Sequence, residues 1–278
     1  MLDNIFQENK KHFSSSDHRI MDCLLRNKNE LQYITTEELI VKSGISASTV
    51  SRFWKKIGFK DIKEFKRYLR DNICSTPASK ISVTLRQWNE KDFNIHDFMS
   101  RYYYHIEKTL GEVMPETLKE AAECIISAPK IYIFAPDGSS GLAEILIYRL
   151  NRFGIEFLLL KGGSALYESL VNFSANDLVI MFSYSRLLSE VKILLKHSKI
   201  AGYHTILFTD LMTSDYLELA DIILYSYRGE PNEYHSMMSP LALLDLLILK
   251  IAQLKENPLE KMKYLQELRE TYGSIIKR

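Results

Sequence analysis

The segment of residues 36–59 places the strongest constraint on how the N-terminal part of this chain can fold. Its sequence, TEELIVKSGISASTVSRFWKKIGF, predicts a short helix, a turn at Gly44 and a second helix. Thr36 is expected to cap the first helix, and Gly44 can adopt the positive φ that ends it. Two helices joined in this way are the shape with which many proteins place one helix in the major groove of DNA.

The second helix of this pair has an apolar side and a polar side. Val50, Phe53, Trp54 and Ile57 follow the spacing of a buried stripe, so the opposite side is left to hydroxyl and basic residues. We therefore predict a helix-turn-helix at about residues 36–55. The candidate DNA contacts are Ser46, Ser48, Thr49, Ser51, Arg52, Lys55, Lys56 and Lys60.

A run of positive charge continues from this helix. Residues 52–70 contain eight Lys and Arg residues and only two acids, Asp61 and Glu64. Residues 1–75 carry 14 basic against 10 acidic residues, whereas the rest of the chain carries 22 against 25. Such a run is also typical of a solvated helix face. Its continuity with the candidate recognition helix favours phosphate neutralisation on DNA.

The same region resembles a known family. The stretches SDHRIMDCLLRN and ITTEELIVKSGISASTVSRFWKKIGFKDIKEFKRYL are similar to the N-terminal domain of RpiR/MurR-type transcriptional regulators, over about residues 1–75. The resemblance implies a small all-helical DNA-binding domain joined to a sugar-isomerase-like (SIS) domain.

The C-terminal part alternates short apolar runs with helical segments. The five runs cover residues 130–134, 156–160, 178–182, 204–208 and 221–225. Near-uniformly apolar strands at this separation indicate parallel pairing with crossover helices. We predict a three-layer α/β domain over about residues 115–258, with a five-stranded parallel flavodoxin-like sheet of order 2-1-3-4-5. Residues 76–114 are expected to form a linker and connecting helix, and residues 259–278 a C-terminal helix.

This strand order brings two loops to one switch point. They follow the first and third strands and read APDGSSG and SYSRLLS. Hydroxyls and free backbone N–H groups there can hold an anion, although serines at helix starts are also ordinary caps. The candidate effector-binding residues are Ser139, Ser140, Ser183, Ser185 and Arg186.

These loops also resemble those of SIS domains, which typically bind phosphosugars through sequences near G-x-G-x-S and S-x-S-G-x-T-x-E. The positions that match are Ser139, Ser183, Ser185 and Glu190. The positions that depart from the pattern are Ala135, Asp137, Arg186 and Leu188. Asp137 repels a phosphate, and Arg186 either contacts the phosphate or pairs with Asp137 and closes an empty site. The sequence leaves both arrangements open.

Residues 81–110 are expected to be helical and contain Phe93, Phe98 and the run from Tyr102 to Tyr104. These aromatic side chains suit either nucleobase stacking or packing against a neighbouring domain or second subunit. The three cysteines are widely spaced, which predicts neither a disulfide framework nor a metal site and fits a reducing cytoplasm.

Together these patterns predict a cytoplasmic DNA-binding transcriptional regulator of sugar or amino-sugar genes, with no cofactor and no membrane segment. Its expected partners are double-stranded DNA, a small phosphorylated sugar and further copies of itself in a homodimer or homotetramer. A sugar-phosphate isomerase is the enzymatic alternative, with Glu190, Glu233 or His235 as the base. A purely structural protein leaves the basic helix unexplained.

Overall fold

The computed structural model describes residues 13–26, 31, 34–72, 77–89, 94–231 and 233–276. The chain divides into two compact units. The first contains Met1–Phe93 together with Glu230–His235, and the second contains Asn94–Gly229 and Ser236–Arg278. The segment Glu230–His235 is thus part of the first unit although both its neighbours in the chain belong to the second.

The described part of the first unit is helical. Its helices are α1 (Ser15–Arg26), α2 (Thr36–Ser43), α3 (Ala47–Lys56), α4 (Ile62–Asn72) and α5 (Pro77–Asn89). The predicted buried stripe of α3 is confirmed, because Val50, Phe53, Trp54 and Ile57 are all buried. The rings of Trp54 and Phe65 lie 4.7 Å apart between centroids, so an aromatic contact joins α3 to α4.

The predicted cap of α2 was wrong by one residue. Thr35, in an extended conformation, accepts a hydrogen bond from the backbone N–H of Glu38 at 3.0 Å, and the Glu38 carboxylate accepts one from the backbone N–H of Thr35 at 2.9 Å. This reciprocal box requires a carboxylate three residues after the cap. Thr36 has Leu39 at that distance, so only Thr35 can form it. Gly44 ends α2 with a φ of 65°, as predicted.

An ion pair fixes the end of α3 to the start of α1. The Lys56 ammonium donates to the Asp17 carboxylate at 2.6 Å, and the side chains are 41% and 2% exposed respectively. The same carboxylate oxygen accepts from the backbone N–H and the hydroxyl of Ser14. Burial raises the pKa of Asp17, but the bonds from Lys56 and Ser14 outweigh burial and hold this pKa below its usual value.

The second unit is an α/β domain. Its helices are α6 (Ile95–Gly111), α7 (Pro115–Ser127), α8 (Ser140–Asn151), α9 (Ala165–Leu170), α10 (Ser189–Ala201), α11 (Met238–Leu254) and α12 (Glu260–Tyr272). Its strands are β1 (Ile131–Phe134), β2 (Leu158–Leu159), β3 (Leu178–Ser183), β4 (His204–Thr209) and β5 (Ile222–Tyr225). They pair in parallel in the order β2-β1-β3-β4-β5, which confirms the predicted topology.

Helices cover both faces of this sheet, as the three-layer prediction requires. Leucine, isoleucine and alanine side chains of α7, α8 and α11 pack on one face, and those of α9 and α10 pack on the other. The edge strand β2 is shorter than the predicted run, and its two leucines are exposed. In the region expected to be a linker, α5 and α6 are both helical, whereas residues 73–76 and 90–93, with Phe93, lie outside the described residues.

In the part of the chain that the structure describes, no helix has the length and apolarity that crossing a membrane requires.

We expect Asp17→Asn to lower the free energy of unfolding at pH 7 by about 1–2 kcal/mol, a modest amount because Lys56 is partly exposed. The folded-state pKa of Asp17 lies below its unfolded value of about 3.9. The stabilisation is therefore complete above the unfolded pKa and is lost as the pH falls through the folded pKa. Urea unfolding followed by tryptophan fluorescence, from pH 7 to pH 3, tests this.

The matched control is Asp22→Asn, which removes an exposed acid from the same helix. It should leave the transition within about 0.5 kcal/mol of the unmodified protein. If Asp17→Asn loses as much stability at pH 3 as at pH 7, the loss does not come from the ionised Asp17 carboxylate, and the role given to its pairing with Lys56 is wrong.

Candidate functional site

The polar side of α3 faces away from the core of the helical domain. Ser46 occupies the N-cap position, and Ser48, Ser51, Arg52 and Lys55 are exposed. Thr49 is half-buried at the margin of this surface. These six residues form one solvent-facing surface of hydroxyl and basic groups, which we call the α3 surface. Such groups donate to phosphate oxygens and to the edges of bases.

Hydrogen bonds orient Arg52 on the α3 surface. Its Nε donates to the backbone carbonyl of Ser48 at 3.3 Å, and its Nη2 donates to Thr49 Oγ1 at 3.2 Å. Thr49 Oγ1 lies 3.1 Å from Ser46 Oγ, which lies 3.2 Å from Ser48 Oγ. The guanidinium is thereby held along the helix before any ligand binds, which reduces the entropy lost on binding.

The predicted lysines differ in what they already contact. Lys55 is exposed on the α3 surface, and Lys60 is exposed just before α4. Lys56 is instead bonded to Asp17, as described above. A phosphate that recruits Lys56 must therefore compete with a buried carboxylate, so Lys55 and Lys60 are the better placed of the three for DNA.

A cleft of about 290 Å³ lies at the carboxyl ends of β1 and β2. Its walls come from the loop after β1, the loop after β2 and the start of α10. The residues that line it are Phe134, Ala135, Pro136, Asp137, Leu160, Gly162, Leu188 and Glu190. Ligands of open α/β sheets bind in this region, outside the strand ends at the switch point.

The loop after β1 turns sharply at Asp137, whose φ is 52°. This left-handed conformation is one that glycine adopts most readily and Asp tolerates better than most residues. Ser139 Oγ donates to the carbonyl of Pro136 at 2.5 Å, and Ser140 Oγ donates to the carbonyl of Asp137 at 2.9 Å. Both predicted hydroxyls therefore bond to their own loop.

The loop after β3 folds around Ser183. The buried Ser183 Oγ donates to the carbonyl of Arg186 at 2.9 Å and accepts from the backbone N–H of Leu188 at 3.4 Å. Ser185 has a φ of 65°, and its backbone N–H donates to the Asp210 carboxylate at 2.6 Å. Arg186 is exposed and forms no ion pair with Asp137, so the described residues do not show the closed arrangement.

The sequence reasoning did not find the third wall of the cleft. The loop after β2 contains Gly162 and Gly163, and the N–H of Gly163 donates to Glu190 Oε1 at 3.2 Å. A Cβ atom on Gly162 would lie 3.2 Å from the same oxygen, which explains why glycine suits this position. The adjacent glycines were the only signal available, because nothing in the sequence connects them to α10.

The cleft therefore differs in composition from the predicted site beside it. The predicted effector residues Ser139, Ser140, Ser183, Ser185 and Arg186 adjoin the cleft in sequence, but as the structure describes its walls they do not line it. Two carboxylates, Asp137 and Glu190, do. A phosphate is repelled by these carboxylates, whereas sugar hydroxyl or ammonium groups can donate to them.

The described residues bear on two other chemistries, metal binding and acid–base catalysis. Within them, no three or more His, Cys, Asp or Glu side chains group in a way that could hold a metal ion. Of the candidate bases, Glu190 belongs to the second unit, whereas Glu233 and His235 belong to the first.

Two family models match the chain. Residues 1–76 match the helix-turn-helix domain of the rpiR family, and residues 124–250 match the SIS domain. The chain joins an rpiR-family helix-turn-helix domain to a SIS domain. The α3 surface belongs to the helix-turn-helix domain, and the cleft belongs to the SIS domain.

Sequence relatives match this chain along most of their length. A Providencia stuartii protein named as an uncharacterized HTH-type transcriptional regulator is 25% identical over 229 residues, which cover 82% of this chain and 81% of the relative. A second protein with that description, from Caldanaerobacter subterraneus, is 23% identical over 270 residues and covers 96% and 95% of the two chains.

Solved structures share the fold. The sugar isomerase domain of an RpiR transcription factor from Sphaerobacter thermophilus is 26% identical, with a TM-score of 0.56, and covers 62% of this chain and 96% of that one. The NanR protein of Vibrio vulnificus, solved with ManNAc-6P, is 21% identical, with a TM-score of 0.60, over the whole of both chains.

We expect Ser183→Ala to lower the free energy of unfolding of the SIS domain by about 1–2 kcal/mol, because it leaves the Leu188 N–H without its acceptor. The exchange of amide hydrogens in residues 183–189 should accelerate with it. Ser189→Ala, at an exposed position six residues along the chain, is the control and should change neither quantity. Equal behaviour of the two variants contradicts the bracing role of Ser183.

Proposed function

We propose that this protein is a transcriptional regulator whose binding to double-stranded DNA is controlled by a phosphosugar-like effector in the SIS domain. The α3 surface is the observation that carries the proposal. A helix with a fully buried apolar stripe and an exposed row of hydroxyl and basic groups is built to present that row to a ligand. The match to the rpiR-family helix-turn-helix domain and the relatives named as transcriptional regulators support DNA as that ligand.

In this proposal, Ser46, Ser48, Thr49, Ser51 and Arg52 approach base edges and adjacent phosphates. Lys55 and Lys60 contact phosphates, while Lys56 holds α3 in place through Asp17. The basic and exposed residues of α4, Lys63 and Arg67, extend the positive surface. Clustered charge of this kind supplies affinity for any DNA, and the hydrogen-bonded Arg52 supplies discrimination.

We expect Arg52→Ala to weaken operator binding by about 1–3 kcal/mol and to leave random DNA much less affected, because a bidentate contact to guanine carries sequence information. Lys55→Ala should weaken both DNAs about equally and flatten the salt dependence by about one unit of slope. Fluorescence anisotropy on operator and random duplexes at several salt concentrations separates the two behaviours. Unchanged operator affinity in folded Arg52→Ala would refute the assigned helix.

The neighbouring pair Lys55 and Lys56 provides a matched contrast. Both substitutions remove one positive charge from α3. Lys56→Ala should lower the stability of the helical domain, whereas Lys55→Ala should lower only DNA affinity. A normal stability and a reduced salt slope for Lys56→Ala would instead place Lys56 on the phosphates.

We propose that the effector is a phosphorylated sugar or amino sugar bound at the cleft and the two loops after β1 and β3. The match to the SIS domain supports this, as does the ManNAc-6P bound to the structural neighbour from Vibrio vulnificus. The charges favour one orientation. Sugar hydroxyl or amino groups face Asp137 and Glu190 in the cleft, and the phosphate lies outside it, near Arg186 and the start of α8.

We expect Arg186→Gly to weaken binding of a phosphorylated effector by about tenfold, through loss of an exposed charge-assisted contact. A thermal-shift screen of the full chain with glucosamine 6-phosphate, ManNAc-6P and fructose 6-phosphate identifies the effector, and calorimetry measures its affinity. The unphosphorylated sugar is the control ligand and should respond much less to the substitution. Tighter binding by Arg186→Gly would show that Arg186 obstructs the site.

Regulation is favoured over catalysis. The relatives are named as regulators, and the carboxylate of Glu190 already accepts a bond from Gly163. We further propose that the protein acts in the cytoplasm as a homodimer or homotetramer, since two copies present two α3 surfaces to two half-sites. Light scattering of the full chain tests the assembly.

A further inference from the structure

A buried ion pair supports the loop after β3. Asp210, just after β4, accepts the backbone N–H of Ser185 at 2.6 Å and pairs with Arg228 Nη1 at 3.1 Å. The side chains of Arg228 and Asp210 are 7% and 8% exposed. The guanidinium also lies over the ring of Tyr184, 4.8 Å from its centroid. Both residues on the turn of this loop are therefore held by the same pair.

Arg228 also bonds across the two ends of the segment Glu230–His235. Its Nε donates to the carbonyl of Ser236 at 3.1 Å, so residues 228 and 236 are bonded on either side of that segment. The segment itself is part of the first unit. There the backbone N–H of Tyr234 donates to Thr84 Oγ1 at 3.1 Å, and the Lys80 ammonium lies 3.0 Å from His235 Nδ1. Thr84 and Lys80 belong to α5.

We propose that the Asp210–Arg228 pair couples the loop after β3 to α5, through the segment Glu230–His235, and so carries effector occupancy to the first unit. Four hydrogen-bonded contacts make up this connection: Ser185 to Asp210, Asp210 to Arg228, Arg228 to Ser236, and Tyr234 to Thr84. The proposal rests on the proposed function for the identity of the signal, but not for the existence of the connection.

The physical argument rests on the cost of separating buried charges. Asp210 cannot leave Arg228 without leaving an uncompensated charge in a nearly dry environment, so the two move together. The bond from the Ser185 N–H to Asp210 stabilises the positive φ of Ser185, a conformation that serine adopts less readily than glycine. An effector that repositions residues 183–186 must therefore displace Asp210 and Arg228, and the displacement reaches Ser236 at the base of the segment.

The first experiment needs no effector. Hydrogen exchange by mass spectrometry on the full chain compares the unmodified protein with Arg228→Met. We expect exchange in residues 77–89, which form α5, to accelerate by roughly tenfold together with exchange in residues 183–189. Faster exchange in residues 183–189 with unchanged exchange in α5 overturns the proposal, because the pair then supports the loop alone.

The control removes a different ion pair from the same unit. Lys199 bonds to Asp221 at 2.7 Å, between α10 and the residue before β5, and both side chains are partly exposed. Lys199→Met should leave exchange in α5 unchanged. An equal acceleration of α5 in both variants overturns the proposal, because it shows a general loss of stability. If Arg228→Met does not fold, Asp210→Asn replaces it, since the amide oxygen can still accept from Ser185 while the negative charge that pairs with Arg228 is lost.

The second experiment breaks the connection at its far end. Thr84→Val keeps the size of a buried side chain and removes the acceptor for Tyr234. We expect calorimetry to show unchanged affinity for the best of glucosamine 6-phosphate, ManNAc-6P and fructose 6-phosphate. In the unmodified protein, the sugar changes the operator Kd by some factor. In Thr84→Val that factor should be at least threefold closer to one. An unchanged factor overturns the proposal.

The two experiments distinguish a wrong effector from a wrong connection. If none of the three sugars changes operator binding by the unmodified protein, the proposed effector is wrong, while the exchange experiment still decides whether the connection exists. If a sugar does act and Thr84→Val keeps the full factor, the effector assignment stands and the connection is wrong.

Discussion

The parallel pairing of β3 between β1 and β4 is the constraint on which the second unit depends. In parallel strands all carboxyl ends lie at one edge, so the loops after β1, β2 and β3 meet there whatever their sequences. Both faces of such a sheet must be covered, which the helices on each side provide. The cleft and the buried Asp210–Arg228 pair are both consequences of this geometry, because each joins residues that follow different strands.

Elements with a local cause could be predicted from the sequence. The stripe from Val50 to Ile57 and the apolar runs that form β1, β3, β4 and β5 each lie within one element, so their burial could be predicted locally. The run at β2 is the exception, because its two leucines are exposed. The cap of α2 shows the limit of such reasoning. Thr35 and Thr36 are both good caps, and only the reciprocal bond with Glu38 separates them. The residue three positions later distinguishes the two threonines, because it is Glu38 for Thr35 and Leu39 for Thr36.

Contacts between distant residues could not be predicted in the same way. Lys56 and Asp17 are 39 positions apart, Gly163 and Glu190 are 27 apart, and Arg228 and Asp210 are 18 apart. A charge count treats Lys56 as a free cation and Arg228 as a surface residue. Only the fold shows that Lys56 holds α3 against α1 and that Arg228 is buried and pairs with the carboxylate that supports the loop after β3.

The charges at the sheet edge limit what the site can recognise. At 4 Å and an effective dielectric constant of 20, two unit charges interact by about 4 kcal/mol, so a phosphate beside Asp137 or Glu190 costs more than one surface cation returns. This repulsion is the reason that the proposed orientation leaves the phosphate outside the cleft, near the exposed Arg186. Because Arg186 follows Ser185 directly, a phosphate in that proposed position would lie next to the residue whose backbone N–H donates to Asp210. In the proposed arrangement, effector recognition and displacement of the buried pair would thus involve the same turn of the chain.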